Sequence, residues 1–596
     1  MAVLETPAEC IIRVDNKRIQ FSIAFVRLDQ LIDDHHLLAI RIQGAGQKEA
    51  KKDLDDPSQY TKLLGNNITL NINPRGGVVD DSRALEFIGI ITDVQIDNSI
   101  DGLNAVLIHA ASPTITMDGA RRNAHYYDKS ASDIIGSILG NYPITVGSIE
   151  STKATYKFDT QYRETDFDYV MRLALGSGMF AWYSGRDFNV GPANGKNAVE
   201  LKWRETLGAF RIGLGTGPYQ FKTDVYNYEQ KKTYSQDSKS IPPDASLSNF
   251  SKTSPDASKK IYGDSGFSTA PKMVGDQQTL DTTLKIERRK AMGSMIRCAG
   301  QSIVPELHVG TCARIAGMDT LDGQYWVIAV RHVFEQSGKY HNTFVCAPTD
   351  IAYPGGAESR RDLRGAELSE EEVVVPEPVA GGRQEPALGL HVARVVDLND
   401  PEKLGRIKVS YPWLDAQQTS WVRVIVPHAG KDRGWYSLPE LNDEVLVGFE
   451  FGNTDHPVVL GCLYNKDNAP MQEAISSGND IKMFMTRSGN KILLDDKSGV
   501  ERIIIAQQNG KNQIVLDMSG PSISISTEGD VSVKAKQNIS IEADQGITMK
   551  ASADVKIEGA NVTVKASGNI SSEAGANNDV KGNAMVNVKG GMVNIN

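Results

Sequence analysis

No run of eighteen apolar residues occurs anywhere in the chain, so nothing in it reads as a helix able to cross a bilayer. Met1 to Glu9 carry no basic segment followed by an apolar one, so no secretory signal is read, and leaving the cell would require another carrier. Cysteine is scarce: Cys10, Cys298, Cys312, Cys346 and Cys462 make an odd number and contain no CxxC. That pattern signals neither a disulfide framework nor a zinc site, and fits buried thiols in a reducing cytoplasm. Basic residues are outnumbered, 64 against 74 acidic, and the formal charge of -10 leaves no basic footprint for nucleic acid. Catalytic signatures are missing as well. There is no HExxH, no GxSxG elbow and no Walker motif, and Gly213 to Pro218 lacks the GK[ST] and the helix a phosphate loop needs.

Glycine is plentiful, at 54 residues in 596, which suits a turn-rich β protein of several domains. The most ordered pattern is at the end. Apolar doublets Ile523/Ile525, Val531/Val533, Ile539/Ile541, Ile547/Met549 and Val555/Ile557 recur every eight residues. Val562/Val564 come one residue early, Ile570 returns to the phase, and the pattern blurs at Asn578 to Val580 before Val586/Val588 and Val593/Ile595. Asp530, Asn538, Gly546, Asp554, Asn561 and Asn569 precede the doublets as turn residues, and polar residues such as Ser532 and Lys534 alternate with them. Alternation gives a strand with one buried face, and Asp, Asn and Gly tolerate the backbone of a tight corner. Each octad therefore reads as a short strand and a corner in a β-solenoid or β-prism. One octad buries too little to hold itself, so the array must be long and fully paired. It could coil on itself with three octads per turn, or three chains could wind round one another; the pattern alone does not choose.

Upstream, alternating apolar residues over 10–45, 68–72 and 85–110 predict a barrel or sandwich. His35-His36 is expected in a solvated turn. Helices are expected from Ser130 to Gly140 and from Thr165, where Thr165 and Asp168 suit a capping box. Residues 231–275, rich in Ser, Lys, Asp and Pro, predict a surface excursion with few core residues. His332 lies among alternating strand residues and is expected to be structural. Pro354 to Pro386 reads as a linker.

Two segments carry a resemblance. Gln161 to Tyr183 (QYRETDFDYVMRLALGSGMFAWY) resembles the signature of VgrG proteins and of the hub proteins of contractile phage tails. Ala393 to Leu414 (ARVVDLNDPEKLGRIKVSYPWL), continued by Trp421 to Asn465, resembles the OB-type domain of the same proteins, with Gly434-Trp435 at their glycine-aromatic turn. Tyr325 to Pro348 resembles the strand pair that closes their hub. The expected fold is mainly β: a hub over 1–353 with two barrel-like halves (about 1–200 and 200–353) and short helices, a linker over 354–386, an OB fold over 387–466, and a spike over 467–596. Trp413, Trp421 and Trp435 are expected to pack rather than to bind nucleic acid. Residues 488–520, with Ile492/Leu494, Ile503/Ile505 and Ile514/Leu516, resemble the start of the spike.

The resemblance implies a homotrimer, and hence an intertwined triple-stranded β-helix rather than a self-coiled one. It implies a hub and membrane-puncturing spike at the tip of a contractile injection system, type VI-like or extracellular and phage-tail-like. Axial packing then falls to Val531, Val533, Ile539, Ile541, Ile547, Met549, Val555, Ile557, Val562 and Val564, with Met592, Val593 and Ile595 meeting a tip cap. Implied partners are an Hcp-like inner tube protein, baseplate proteins, a PAAR-type tip protein, effector cargo and, transiently, a target membrane. No cofactor, metal, nucleic acid or enzymatic activity is expected: 465–488 is too short for an enzyme domain, and nothing follows the repeat. Assembly is expected in a bacterial cytoplasm, with delivery outside the cell as part of the particle. The competing readings are a β-solenoid enzyme that degrades polysaccharide, which would need paired acids along a groove, and a passive tail adhesin, which would not need the hub signature.

Overall fold

A computed structural model describes residues 4–19, 22–43, 60–97, 105–194, 198–227, 230–240, 249–263, 266–267, 277–352, 389–413 and 417–595. The expected linker, 354–386, lies outside the described residues. The chain divides into two compact units, Met1–Ala469 and Pro470–Asn596. It is mainly β, as the alternation predicted.

In the first unit, six early strands, Thr6–Val14, Ile23–Leu31, Leu37–Gln43, Asn67–Pro74, Leu85–Asp97 and Ala105–Ala111, share a sheet with two late ones, Gly323–Glu335 and Lys339–Pro348. Pairing runs from 323–335 through 23–31, 37–43, 105–111, 85–97, 67–74 and 6–14 to 339–348, which pairs with 323–335 again. The eight strands form a closed ring. The late pair also joins 198–202, 312–316, 296–302 and 207–214, and a bridge from Trp203 to Leu207 links the outer strands of this second group. Thirteen residues of strand extend about 43 Å, enough to serve two cores. Phe334 and Tyr340 accordingly lie in the first core, while Tyr325 to Val330 and Phe344 to Ala347 lie in the second.

Two helices lie between the early and late strands in the chain and pack into the first core. Helix α1 (Ala131–Leu139) has a full capping box, with Ser130 and Asp133 satisfying each other's backbone N–H. Helix α2 (Asp166–Gly176) starts at Thr165, whose side chain accepts from the Asp168 amide. Only that half of its expected box is described; the Thr165 hydroxyl also donates to Asp118.

Part of the expected excursion over 231–275 is regular: a strand, Lys232–Asp237, and helix α3 (Asn249–Tyr262), followed by helix α4 (Gln277–Gly293). The stripe that α3 buries is Ser251, Ser254, Pro255 and Ser258, at helical spacing but without Leu, Ile or Val. Ser258 Oγ donates to the Ser254 carbonyl and Ser251 Oγ to Asp350. A stripe of hydroxyls with a proline inside it carries no hydrophobic period and reads as a break, so the sequence pattern hid this helix.

The second fold of this unit is a five-stranded sheet in the order 408–410, 391–397, 444–449, 457–463, 423–424, with a bridge from Ile407 to Val422 joining its ends. Val395, Ile407, Val409, Val445, Val447 and Val459 are its core. The Asp400-Pro401 turn is held by Asp400, which accepts from the amides of Glu402, Leu404 and Arg406 and pairs with the Arg406 guanidinium at 2.8 Å. Burial opposes its ionisation, but Arg406 and the three amides outweigh it and bring the Asp400 carboxyl down to about 2. Gly405 follows at φ +74°, where a side chain would be strained. Trp413 packs on Tyr411, but Trp435 is more than half exposed, so the packing expectation fails for it within one copy.

The second unit begins with a five-stranded antiparallel meander, Ile481–Met485, Lys491–Asp495, Arg502–Ala506, Gln513–Asp517 and Ser522–Ser526. Register places Ile492 opposite Ile505, Ile505 opposite Ile514, and Ile514 opposite Ile525. Ile523/Ile525 therefore close this meander rather than open the octads. Past Ser526 the described residues carry bends at 528–529, 536–537, 544–545, 552–553, 560, 567–568, 575–576, 583–584 and 591–592. The eight-residue rhythm thus persists through 578–580, where the apolar pattern fades.

Candidate functional site

The stretch from Gln161 to Tyr183 ties a buried polar knot. Asp159, in the middle of strand Thr155–Glu164, and Glu164, at its end, are fully buried. Arg172, on α2, bonds both Glu164 oxygens at 2.9 and 3.1 Å, lies 3.6 Å from Asp159 and donates to the Thr160 carbonyl. Tyr169 donates to Asp159 at 2.9 Å, and Gln161 and Tyr142 donate to Asp166. Burial raises the Glu164 carboxyl despite the opposing pull of Arg172. Each of these side chains is answered by another, so the arrangement organises structure. Asp168 of the same stretch keeps a buried Oδ2 without a hydrogen-bond partner, and burial raises its carboxyl to about 6.

The same strand seats the OB-type fold. Thr160 N donates to Asp455 at 2.8 Å and His125 N to Gln417 at 3.2 Å, and Tyr162 stacks edge-on against Trp413, centroids 4.9 Å apart. The knot and the seam are one structure: Thr160 gives its carbonyl to Arg172 and its amide to Asp455. Sequence reading placed the signature but not these roles, because Asp455 lies nearly three hundred residues away.

His35 and His36 are buried, contrary to the expected solvated turn. His35 bridges Thr114 at 2.7 Å and Asp118 at 2.8 Å, contacts made by a segment over seventy residues distant. His332 is structural as expected, with Nδ1 at 2.7 Å from the Tyr340 hydroxyl and Nε2 at 3.2 Å from Gln30. Burial brings both His36 and His332 down to about 3, far below the ordinary imidazole range. An unfolded imidazole takes up its proton near 6.5. The stability each neutral ring contributes is full above that value and is lost as pH falls towards 3. His36, between Phe87 and Tyr183, makes no hydrogen bond of normal geometry through its ring nitrogens. His36→Phe is therefore expected to gain stability relative to wild type as pH drops from 6.5 to 4. Thermal unfolding of both proteins across that range checks it; a pH-independent difference would refute the assignment.

The ten residues expected along the spike axis, Val531 to Val564, are each more than half exposed within one copy. Val533 is 72% exposed, whereas core valines such as Val447 are fully buried. Met592, Val593 and Ile595 are also exposed. No strand pairing is found among the described residues after Ser526. One copy thus sets aliphatic doublets at a fixed phase and brings none of them together.

Comparison with known proteins bears on this arrangement. Residues 36–338, just over half of the chain, match the family described as phage tail baseplate hub (GPD). The chain belongs to the phage tail baseplate hub family. Residues 391–464 of this hub protein also match the type VI secretion system/phage-baseplate injector OB domain. It is 24% identical over 438 residues to the type VI secretion system spike protein VgrG1a of Pseudomonas aeruginosa, covering 66% of this chain and 63% of the relative. It is 24% identical over 404 residues to VgrG1b of the same organism, covering 60% and 49%. The match therefore spans about half to just under two thirds of these relatives. In fold it is similar to a chain of the half-lidded Francisella PdpA-VgrG complex, with a TM-score of 0.52, 9% identity and 88% of each chain covered. The resemblance to VgrG and phage hub proteins read in Gln161 to Tyr183 and Ala393 to Leu414 is borne out, and the family is one of structural hub and spike proteins.

Proposed function

We propose that this hub protein acts as a homotrimer, forming the hub and the membrane-puncturing spike at the tip of a contractile injection system. The observation that carries this is the set of exposed aliphatic doublets from Val531 to Val564, phased by bends every eight residues with one shortened step. An apolar row of that length is not left in water; it needs a mate of matching period, and a second and third copy supply one. The meander supports the same reading, since Ile492, Leu494, Ile505, Ile514, Ile523 and Ile525 share one largely exposed face. In this reading 1–353 is the hub, 354–386 the linker, 387–466 the OB fold and 467–596 the spike. The hub would meet an Hcp-like tube protein and baseplate proteins, and Met592, Val593 and Ile595 would meet a PAAR-type cap. Effector cargo would travel with the particle from the cytoplasm through the target membrane, and the role is mechanical rather than catalytic. No helix of the described residues is long and apolar enough to cross a membrane.

Native mass measurement tests the reading. The expected species has three times the 65.0 kDa chain mass. A single-copy species at micromolar concentration would overturn the proposal.

A further inference from the structure

The eight-stranded ring has one short seam. Strand Thr6–Val14 pairs with Asn67–Pro74 over seven residues, but with Lys339–Pro348 only through Thr6 to Tyr340 and Pro7 to Lys339. Thr6 and Tyr340 are buried in the ring. Alternation turns their neighbours outward, so the register sets Glu5 opposite His341 on the outer face. Glu335, at the end of the adjoining strand, lies diagonal to His341, because Val333 is directly opposite it. Carboxylate oxygens of Glu5 and Glu335 and a ring nitrogen of His341 all lie within 4.8 Å of one another. His341 Nδ1 is shut off from solvent and has no hydrogen-bond partner.

We propose that Glu5, Glu335 and His341 form a zinc site that staples this seam. Two carboxylates and one imidazole are hard-to-borderline donors that suit zinc with water in the fourth position. Zinc bonds of about 2.0–2.2 Å would draw the three donors about 1 Å closer together, within the reach of side-chain rotation. The metal would join Glu5, on the first strand, to the hairpin that carries Glu335 and His341 far along the chain, so its binding stabilises the closed ring. Lys339 Nζ now sits 2.5 Å from Glu5 and is the built-in competitor: the ammonium must swing away when the cation enters. Sequence inspection could not find this site, because no two of its ligands fall at a motif spacing.

The test uses the full chain without a histidine tag, equilibrium dialysis against zinc chloride, and metal analysis. Wild type is expected to take up one zinc per copy at this site, and its thermal midpoint to rise with zinc. His341→Ala and Glu335→Gln are expected to weaken uptake by about tenfold or more and to lose the thermal response. Circular dichroism establishes that each variant is folded; Glu335→Gln, which changes no volume, serves if His341→Ala is not. Lys339→Met is expected to bind zinc several-fold more tightly. Equal uptake by wild type and both ligand variants would overturn the site, and unchanged affinity in Lys339→Met would overturn the placement of the ion on Glu5.

Discussion

Val533→Asp is expected to abolish the trimer. In one copy Val533 is 72% exposed, so an aspartate there would cost almost nothing if the chain worked alone. In the proposed rod the same residue meets its two counterparts at the axis. Three carboxylates would then be brought together out of water, at several kcal/mol each or with forced protonation. Ser532→Asp is the control, because alternation turns residue 532 outward. The expected result is a single-copy mass for the first variant and a trimer mass with an unchanged melting temperature for the second. If Val533→Asp remains a trimer that melts within a few degrees of wild type, the axial assignment of the doublets is wrong.

Arg172→Met is expected to cost the first unit about 3–5 kcal/mol, the usual penalty for removing one partner of a buried ion pair. Methionine keeps most of the aliphatic volume but leaves Asp159 and Glu164 buried without the cation that now bonds them. The Glu164 carboxyl is already raised by burial, and without Arg172 it should rise further. A carboxyl whose folded value is raised is better tolerated as pH falls, since protonation removes the buried charge. The deficit relative to wild type should therefore shrink between pH 8 and pH 5. Urea unfolding of the full chain at both values measures it. Because Thr160 links Arg172 to Asp455, the transition of the OB-type fold should move with that of the hub. A loss below 1 kcal/mol would show that the knot does not hold the seam.

Much of this was legible along the chain. Strand alternation, the helix from Ser130, the Asp400-Pro401 turn and the octads are local patterns, set by periods of two and 3.6 residues and by which residues accept a tight corner. The signature in Gln161 to Tyr183 located the knot but not its wiring. Helix α3 stayed hidden because its buried stripe is serine with a proline inside it, and His35-His36 looked solvated because Asp118 and Thr114, which cover His35, come from elsewhere in the chain.

By itself the sequence determined the mainly β character and the eight-residue phase of the tail, which depend on neighbours a few residues apart, and its resemblance to a known family marked the hub and OB-type segments. Only the tertiary structure decided that strands 323–335 and 339–348 serve two cores at once, that Thr160 joins knot to seam, and that Glu5, Glu335 and His341 converge. Those facts depend on pairing between segments hundreds of residues apart, and register between distant strands leaves no periodic trace in either one.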